Sequence, residues 1–404
     1  MARILIALSA ALGLAATGAS AQHTHKPAAP ASAACATTDF KCATTVTPVV
    51  APDGTLWVAW AAGGAVSVAR SIDLGKTFSS GVAVHAGTLP LDNGPDARPK
   101  IVIDAAGAII VTYATRDDKY NGAAFVTRST DGGKTFAPPS PITSGSPSQR
   151  FETAGLAPDG RLFAVWIDKR NAAKARSEGV KYAGAALAFS TAGKGSTEFP
   201  PATIARDNTC ECCRIALAFT PDGRPAVVFR NIFDGGVRDH ALITFSDLAT
   251  PGPVMRVSDD AWATDACPHH GPSIAITPDG SYHVTWFTSG KTRKGVFYAR
   301  SLDGGKSFTE PLALGTAGRQ ISRPYVLATR EKLALVWKEF DGERTEVRAM
   351  TSGDGGKSFG AASTVAATGD ESDHPMLVAA GGKVYLSWQT KSEGYRLIAV
   401  EPQS

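Results

Sequence analysis

Two short runs concentrate the metal-binding and redox-active side chains of this chain: Cys210-Glu211-Cys212-Cys213-Arg214 and Cys267-Pro268-His269-His270-Gly271. Thiolate and imidazole together form a soft donor set that suits Cu(I) or Zn(II). Cys210, Cys212, Cys213, Cys267, His269 and His270 are therefore the candidate metal ligands, with Glu211 beside them. Paired histidines next to a cysteine exceed what a purely structural role requires. Oxidation is the competing chemistry. In an oxidising compartment Cys212 or Cys213 can bridge to Cys267, or Cys210 to Cys213, and connectivity does not follow from sequence. The spacing matches no standard zinc finger, so the choice between copper and zinc stays open.

A repeat must bring the two runs together. An alternating apolar strand ending in an aromatic recurs, closing at Trp60, Tyr113, Trp166, Phe229, Trp286, Trp337 and Trp388. The intervals are 53, 53, 63, 57, 51 and 51 residues. Self-similarity on this period marks a propeller, solenoid or array, and several short strands per unit select an all-β propeller of about seven four-stranded blades, or six. Within each unit an apolar strand leads into a tight turn such as Asp53-Gly54, Asp159-Gly160, Asp222-Gly223 or Asp279-Gly280. Asp-Gly is a short-hairpin signature because glycine supplies positive φ. No long stretch carries apolar residues at helical spacing. The last unit offers three strands, so the stretch Thr37 to Ala43 is the candidate fourth strand that closes the ring and covers the open edge.

A propeller gathers the segments preceding each innermost strand at one end of its channel. Those segments are Asp96-Ala97-Arg98-Pro99, Gln149-Arg150-Phe151-Glu152, Ser322-Arg323-Pro324-Tyr325 and Ser372-Asp373-His374-Pro375, together with the two cysteine runs, which fall in adjacent units. The plainest reading of the arginines is that they cap strand ends and pair with acids around the channel. Arg230 and Arg238-Asp239 either line the same pocket or form an ion pair.

A second turn motif carries a family resemblance. The segments SIDLGKTF (71–78), STDGGKTF (129–136), SLDGGKSF (301–308) and SGDGGKSF (352–359) match S-x-D-x-G-x-[ST]-[FW], with remnants near Ser190 and Ser246-Asp247. This pattern resembles the Asp box of the sialidase superfamily, also called BNR-repeat proteins, over nearly the whole mature chain. The C-x-C-C and downstream C-P-H-H motifs are similar to those of exported bacterial sialidase-like propellers. Asp73, Asp131, Asp303 and Asp354 are read as turn formers that accept backbone N–H bonds, not as catalytic acids. The resemblance implies a glycoside hydrolase alternative of exo-α-sialidase type. Arg98, Arg150 and Arg323 would clamp a carboxylate, Tyr325 with Glu152 would form the nucleophile pair, and Asp96 would be the acid. The family's [FY]-R-I-P signature is replaced by Asp96-Ala97-Arg98-Pro99. The fold alone does not carry the activity, and an interaction scaffold for protein or glycan is the third alternative.

The N-terminus reads as a signal peptide over residues 1–21, cleaved after Ala21. Arg3 precedes a short apolar stretch, and Ala19-Ser20-Ala21 supplies the small-x-small pattern. A disordered leader over 22–34 and a single propeller domain over 35–404 follow. In the leader, His23 and His25 beside a free amine could hold Cu(II) or Ni(II), although a solvated tail explains them as well. An exported protein can also oxidise Cys35 and Cys42. A periplasmic or secreted monomer is expected, with a small ligand, metal ion or glycan as partner. Lys+Arg total 41 against Asp+Glu 37, interleaved and without basic blocks, which argues against nucleic acid or an anionic membrane. No later segment approaches the roughly 20 apolar residues of a membrane span.

Overall fold

The computed structural model describes residues 37–401. The expected signal peptide and leader, and Cys35, lie outside the described residues. Seven antiparallel sheets follow one another along the chain, each a meander in sequence order from the inner strand outwards. The innermost strands are Val46–Val50, Lys100–Ile103, Gln149–Leu156, Ala216–Phe219, Ser273–Ile276, Gln320–Ala328 and Met376–Ala380. Six blades have four strands, and the seventh has three among the described residues. No described helix is long and apolar enough to cross a membrane.

The recurring aromatic explains the period. Each lies on the second strand of its blade and is at most 2% exposed, because that strand is flanked on both faces by neighbouring blades. Each hydrophobic cluster accordingly spans two adjacent blades. Trp166 packs with Ile110 and Val126 of the preceding blade, Trp286 with Val228 and Leu242, and Trp337 with Val296 and Tyr298. The indole N–H groups, too costly to bury unpaired, find acceptors. Trp166 donates to Asp168, Trp286 to Asp260 and Trp337 to Glu339.

The four Asp boxes adopt one geometry. In the second, Asp131 accepts from the Thr135 amide at 3.0 Å and the Thr135 hydroxyl at 2.6 Å, while Ser129 accepts from the Gly133 amide at 3.0 Å. The turn bonds alone hold the Asp73, Asp131, Asp303 and Asp354 carboxyls well below the usual carboxylate range. Their Ser/Thr and backbone partners are the largest cause. The box also docks blades together. Gly133 has φ +79°, and a Cβ there would stand 2.6 Å from the Trp57 ring of the preceding blade.

Two features differ from the sequence reading. Residues 37–43 add no strand to the seventh blade. Phe40–Cys42 form a 3-10 turn, and the Phe40 ring packs against Trp60, Phe78 and Tyr395. The seam between the last and first blades is therefore closed by an aromatic plug and by polar contacts, described below. A short helix, Arg170–Ser177, follows the second strand of the third blade. It occupies the longest of the repeat intervals, and with only Ala175 buried it carries no apolar stripe that a periodicity search could find.

Gly133→Ala combines a left-handed backbone, which costs a side chain about 1–3 kcal/mol, with a clash against Trp57. Gly132→Ala carries the backbone strain alone, since nothing lies within 4 Å of its Cβ position. Thermal melts should place Gly133→Ala clearly below Gly132→Ala, and equal melting temperatures would remove the docking role.

Candidate functional site

The run Cys210–Arg214 links the outer strand of the third blade, Thr203–Thr209, to the inner strand of the fourth. Its amide at Cys210 donates to the Arg230 carbonyl at 2.9 Å. This turns the three thiols inward, so that Cys210, Cys212 and Cys213 are 1%, 4% and 2% exposed. Their sulfurs converge. Cys210 Sγ lies 3.5 Å from Cys212 Sγ and 3.7 Å from Cys213 Sγ, and all three lie within 4.8 Å of one another. Four sulfurs around a zinc at 2.3 Å define tetrahedron edges of about 3.8 Å, so the trio already has ligand spacing. A disulfide needs about 2.05 Å, and Cys210, Cys212, Cys213 and Cys267 stand as thiols. Cys267 is exposed and lies outside this three-sulfur group.

Arginine dominates the electrostatics of the cluster. Arg230, 2% exposed, donates to the carbonyls of Arg238, His270 and Phe287 and stacks over Trp262 at 4.4 Å. It thereby ties the fourth-blade loops to the Cys267–His270 segment. Arg238 donates to Cys210 Sγ at 3.6 Å and to the Ala266 carbonyl at 3.4 Å. Thiol hydrogen bonds from Cys212 and Cys213, with the Arg230 charge behind them, push the Cys210 pKa far down. The same contacts push Cys212 and Cys213 up. Burial works against the Arg238 charge, and the Cys210 thiolate outweighs it. Asp239 pairs with neither arginine. It accepts from the amides of Asp260, Ala261 and Trp262.

The histidines are placed differently from the thiols. Neither imidazole joins the three-sulfur group. His270 stacks on Phe287 with centroids 4.0 Å apart, and burial pushes its pKa down to about 3. His269 adopts φ +51°, and its carbonyl accepts from the Arg323 guanidinium.

A cavity of about 160 Å³ opens beside the cluster on the channel axis, lined among others by Asp96, Arg98, Lys100, Glu152, Arg214 and Tyr325. Two inner strands are bulged where they reach it. Register shifts bracket Phe151–Glu152 in the third blade and Arg323–Pro324 in the sixth, and Phe151 and Arg323 both take left-handed φ near +55°. Bulges re-aim side chains next to binding sites. Glu152 is 0% exposed. Burial raises its pKa despite Lys100 Nζ at 3.2 Å, and its Oε2 has no hydrogen-bond partner. Burial also raises the Tyr325 phenol. Asp96 faces two guanidinium groups, Arg323 at 3.6 Å and Arg214 at 3.7 Å, and the imidazole of His374 at 3.8 Å.

The expected arginine trio divides. Arg98 donates to Asp373 through two nitrogens, one at 2.9 Å, and also to the Val46 carbonyl. Arg150 binds Asp92 at 2.7 Å, outside the cavity wall. Arg323 does face Asp96. Arg214 is the residue that clamp reasoning passed over. Its signal was its place directly after Cys213, on the same rim segment. His374 was likewise readable only as a rim residue. Burial keeps it neutral, and its Nδ1 lies 3.2 Å from Arg214.

No protein-family model and no curated protein matches the chain. Solved structures do. A polysaccharide lyase, an ulvan lyase bound to -[GlcA(1-4)Rha3S]-, aligns with a TM-score of 0.58 at 12% identity, over 90% of this chain and 94% of its own. A protein of unknown function from Dyadobacter fermentans aligns with a TM-score of 0.52 at 17% identity, over 77% and 96%. What is shared is the β-propeller fold. At such identities the comparison speaks to the scaffold, and the chemistry has to be argued from this chain's own residues.

The buried Arg98–Asp373 pair yields a thermodynamic test. Arg98→Met strands the Asp373 carboxylate, 2% exposed, and should cost about 3–5 kcal/mol. The double variant Arg98→Met/Asp373→Leu should recover a large part of that loss in urea unfolding. Additive losses would show that the pair is not coupled.

Proposed function

We propose that this protein binds a thiophilic metal ion, Cu(I) or Zn(II), at the rim where the fourth and fifth blades meet. Cys210, Cys212 and Cys213 are the core ligands. The observation that carries this reading is the convergence of three buried, unbridged sulfurs at 3.5 and 3.7 Å. Thiols packed on thiols gain little from one another, whereas a soft cation would convert their contact into three strong bonds. Arg230 and Arg238 would offset the negative charge left when thiolates bind a monovalent or divalent ion. The signal-peptide pattern at the N-terminus supports a periplasmic or secreted setting. The role proposed is binding and handling of the ion.

Thiols must lose their protons to bind, so affinity should rise with pH and each ion taken up should release protons. Titration of reduced apoprotein with Cu(I) or Zn(II) under competing chelator should give one tight equivalent per chain. Cys213→Ser should lower affinity by about a hundredfold or more. Protein that takes up neither ion, or a Cys213→Ser variant that binds as wild type does, would refute the assignment.

A second reading is supported by the cavity. We propose that, if the chain has hydrolytic activity, Glu152 and Tyr325 carry it on an acidic sugar, with Arg214 and Arg323 supplying positive charge near Asp96. The supporting observation is a wholly buried Glu152 with a raised pKa and an unpartnered oxygen in a cavity reached by two strained bulges. Cleavage of fluorogenic sialosides or uronides should then be abolished in Glu152→Gln. An absence of turnover from acidic to neutral pH would end this alternative.

A further inference from the structure

The four rim cysteines are not equivalent. Cys210, Cys212 and Cys213 are almost wholly enclosed, whereas Cys267 is exposed and follows Ala266, whose carbonyl shares Arg238 with Cys210 Sγ. One thiol therefore stands in solvent at the border of the buried cluster. Its position is held from both sides. On the N-terminal side, the Ala266 amide donates to Thr264 Oγ1 at 3.1 Å and the Ala266 carbonyl accepts from Arg238 at 3.4 Å. On the C-terminal side, the His269 carbonyl accepts from Arg323 and the His270 carbonyl from Arg230 at 3.0 Å. Arg238 is shared, since it also donates to Cys210 Sγ. The loop that presents the exposed thiol is thus pinned by the two arginines that border the buried sulfurs. Pro268 further restricts the backbone of Cys267.

We infer that Cys267 is the exchange ligand of the thiol site, the sulfur through which the ion enters from and leaves to a soluble thiol complex, whereas the buried trio sets equilibrium affinity. This rests on the metal-binding reading above. Buried ligands with a few percent exposure cannot meet a bulky metal complex directly. Associative exchange between sulfur ligands needs one accessible thiolate to form a bond before the carrier's bond breaks. On arrival, Cys267 gives its proton to solvent and bonds the ion as one carrier sulfur leaves and takes up a proton. Cys212 then deprotonates and bonds the ion, and the remaining carrier sulfur takes up a proton and departs. Cys210 and Cys213 give up their protons and complete the site as Cys267 releases the ion and is reprotonated from solvent. The oxidation state of the ion does not change, and no oxidant or reductant is consumed.

The test compares equilibrium with rate in full-length reduced protein, using Cu(I) supplied as its glutathione complex. Cys267→Ser, an exposed and near-isosteric change, should leave affinity within about tenfold of wild type and slow stopped-flow transfer by more than about tenfold. Cys213→Ser should do the reverse, with affinity as its main loss. On apoprotein, limiting iodoacetamide followed by peptide mapping should label Cys267 before the other three. A Cys267→Ser variant that transfers within tenfold of the wild-type rate, or that loses as much affinity as Cys213→Ser, overturns the inference while leaving metal binding itself intact. Wild-type protein that never loads would instead refute the underlying metal site.

Discussion

The guanidinium of Arg98 and the carboxylate of Asp373 meet in the interior, 6% and 2% exposed, and the ring geometry depends on them. Asp373 also accepts from the Val46 amide at 3.0 Å, and Arg98 donates to the Val46 carbonyl. Residues leading into the second and seventh blades are thereby fastened to the first strand of the first. Among the described residues the last blade has three strands and none from the other terminus, so its seam is held in some other way. Here a buried charge pair holds it on the channel side and the Phe40 plug on the outer side. Arg98 reads in sequence as a substrate clamp, but its donors are already engaged in closing the ring.

Three of the seven described non-glycine residues with left-handed φ lie where chemistry is proposed. Phe151, His269 and Arg323 are non-glycine residues with left-handed φ, all on the channel rim. Such conformations cost on the order of 1–3 kcal/mol each and persist only where the surroundings over-determine them. The surroundings are identifiable. Arg323 holds the His269 carbonyl, Arg150 bonds Asp92 and lies over the Phe151 ring, and the bulges in the third and sixth blades set the backbone. The thiol cluster and the cavity share this framework, since Arg214 follows Cys213 directly and reaches Asp96 and His374. The thiol cluster and the cavity are therefore linked through one short segment of backbone.

The blade count, the aromatic on each second strand and the Asp-box turns were all legible in the sequence because each depends on residues close together in the chain. A period-two apolar strand, an Asp-Gly turn and an S-x-D-x-G box each fold by local bonding, and the repeat multiplies the signal. The meeting of the two cysteine runs followed from the same logic, since adjacent units put them on one rim. Partner choice did not follow. Arg150 could have faced the channel, yet the bulge at Phe151 turns it to Asp92. Asp239 sits next to Arg238 in sequence but caps the backbone of residues 260–262.

Sequence by itself determined the scaffold, the rim and the cysteines that lie on it, because propeller topology sends every segment before an inner strand to the same end. Only the tertiary structure decided how those donors divide. Cys210, Cys212 and Cys213 are drawn inward by the bond between the Cys210 amide and the Arg230 carbonyl, Cys267 is left at the surface, His270 stacks on Phe287, and neither imidazole joins the three sulfurs. These outcomes follow from backbone bends of a residue or two and from competition among buried arginines for acceptors. Such competition is settled by distances between blades, which no local pattern encodes.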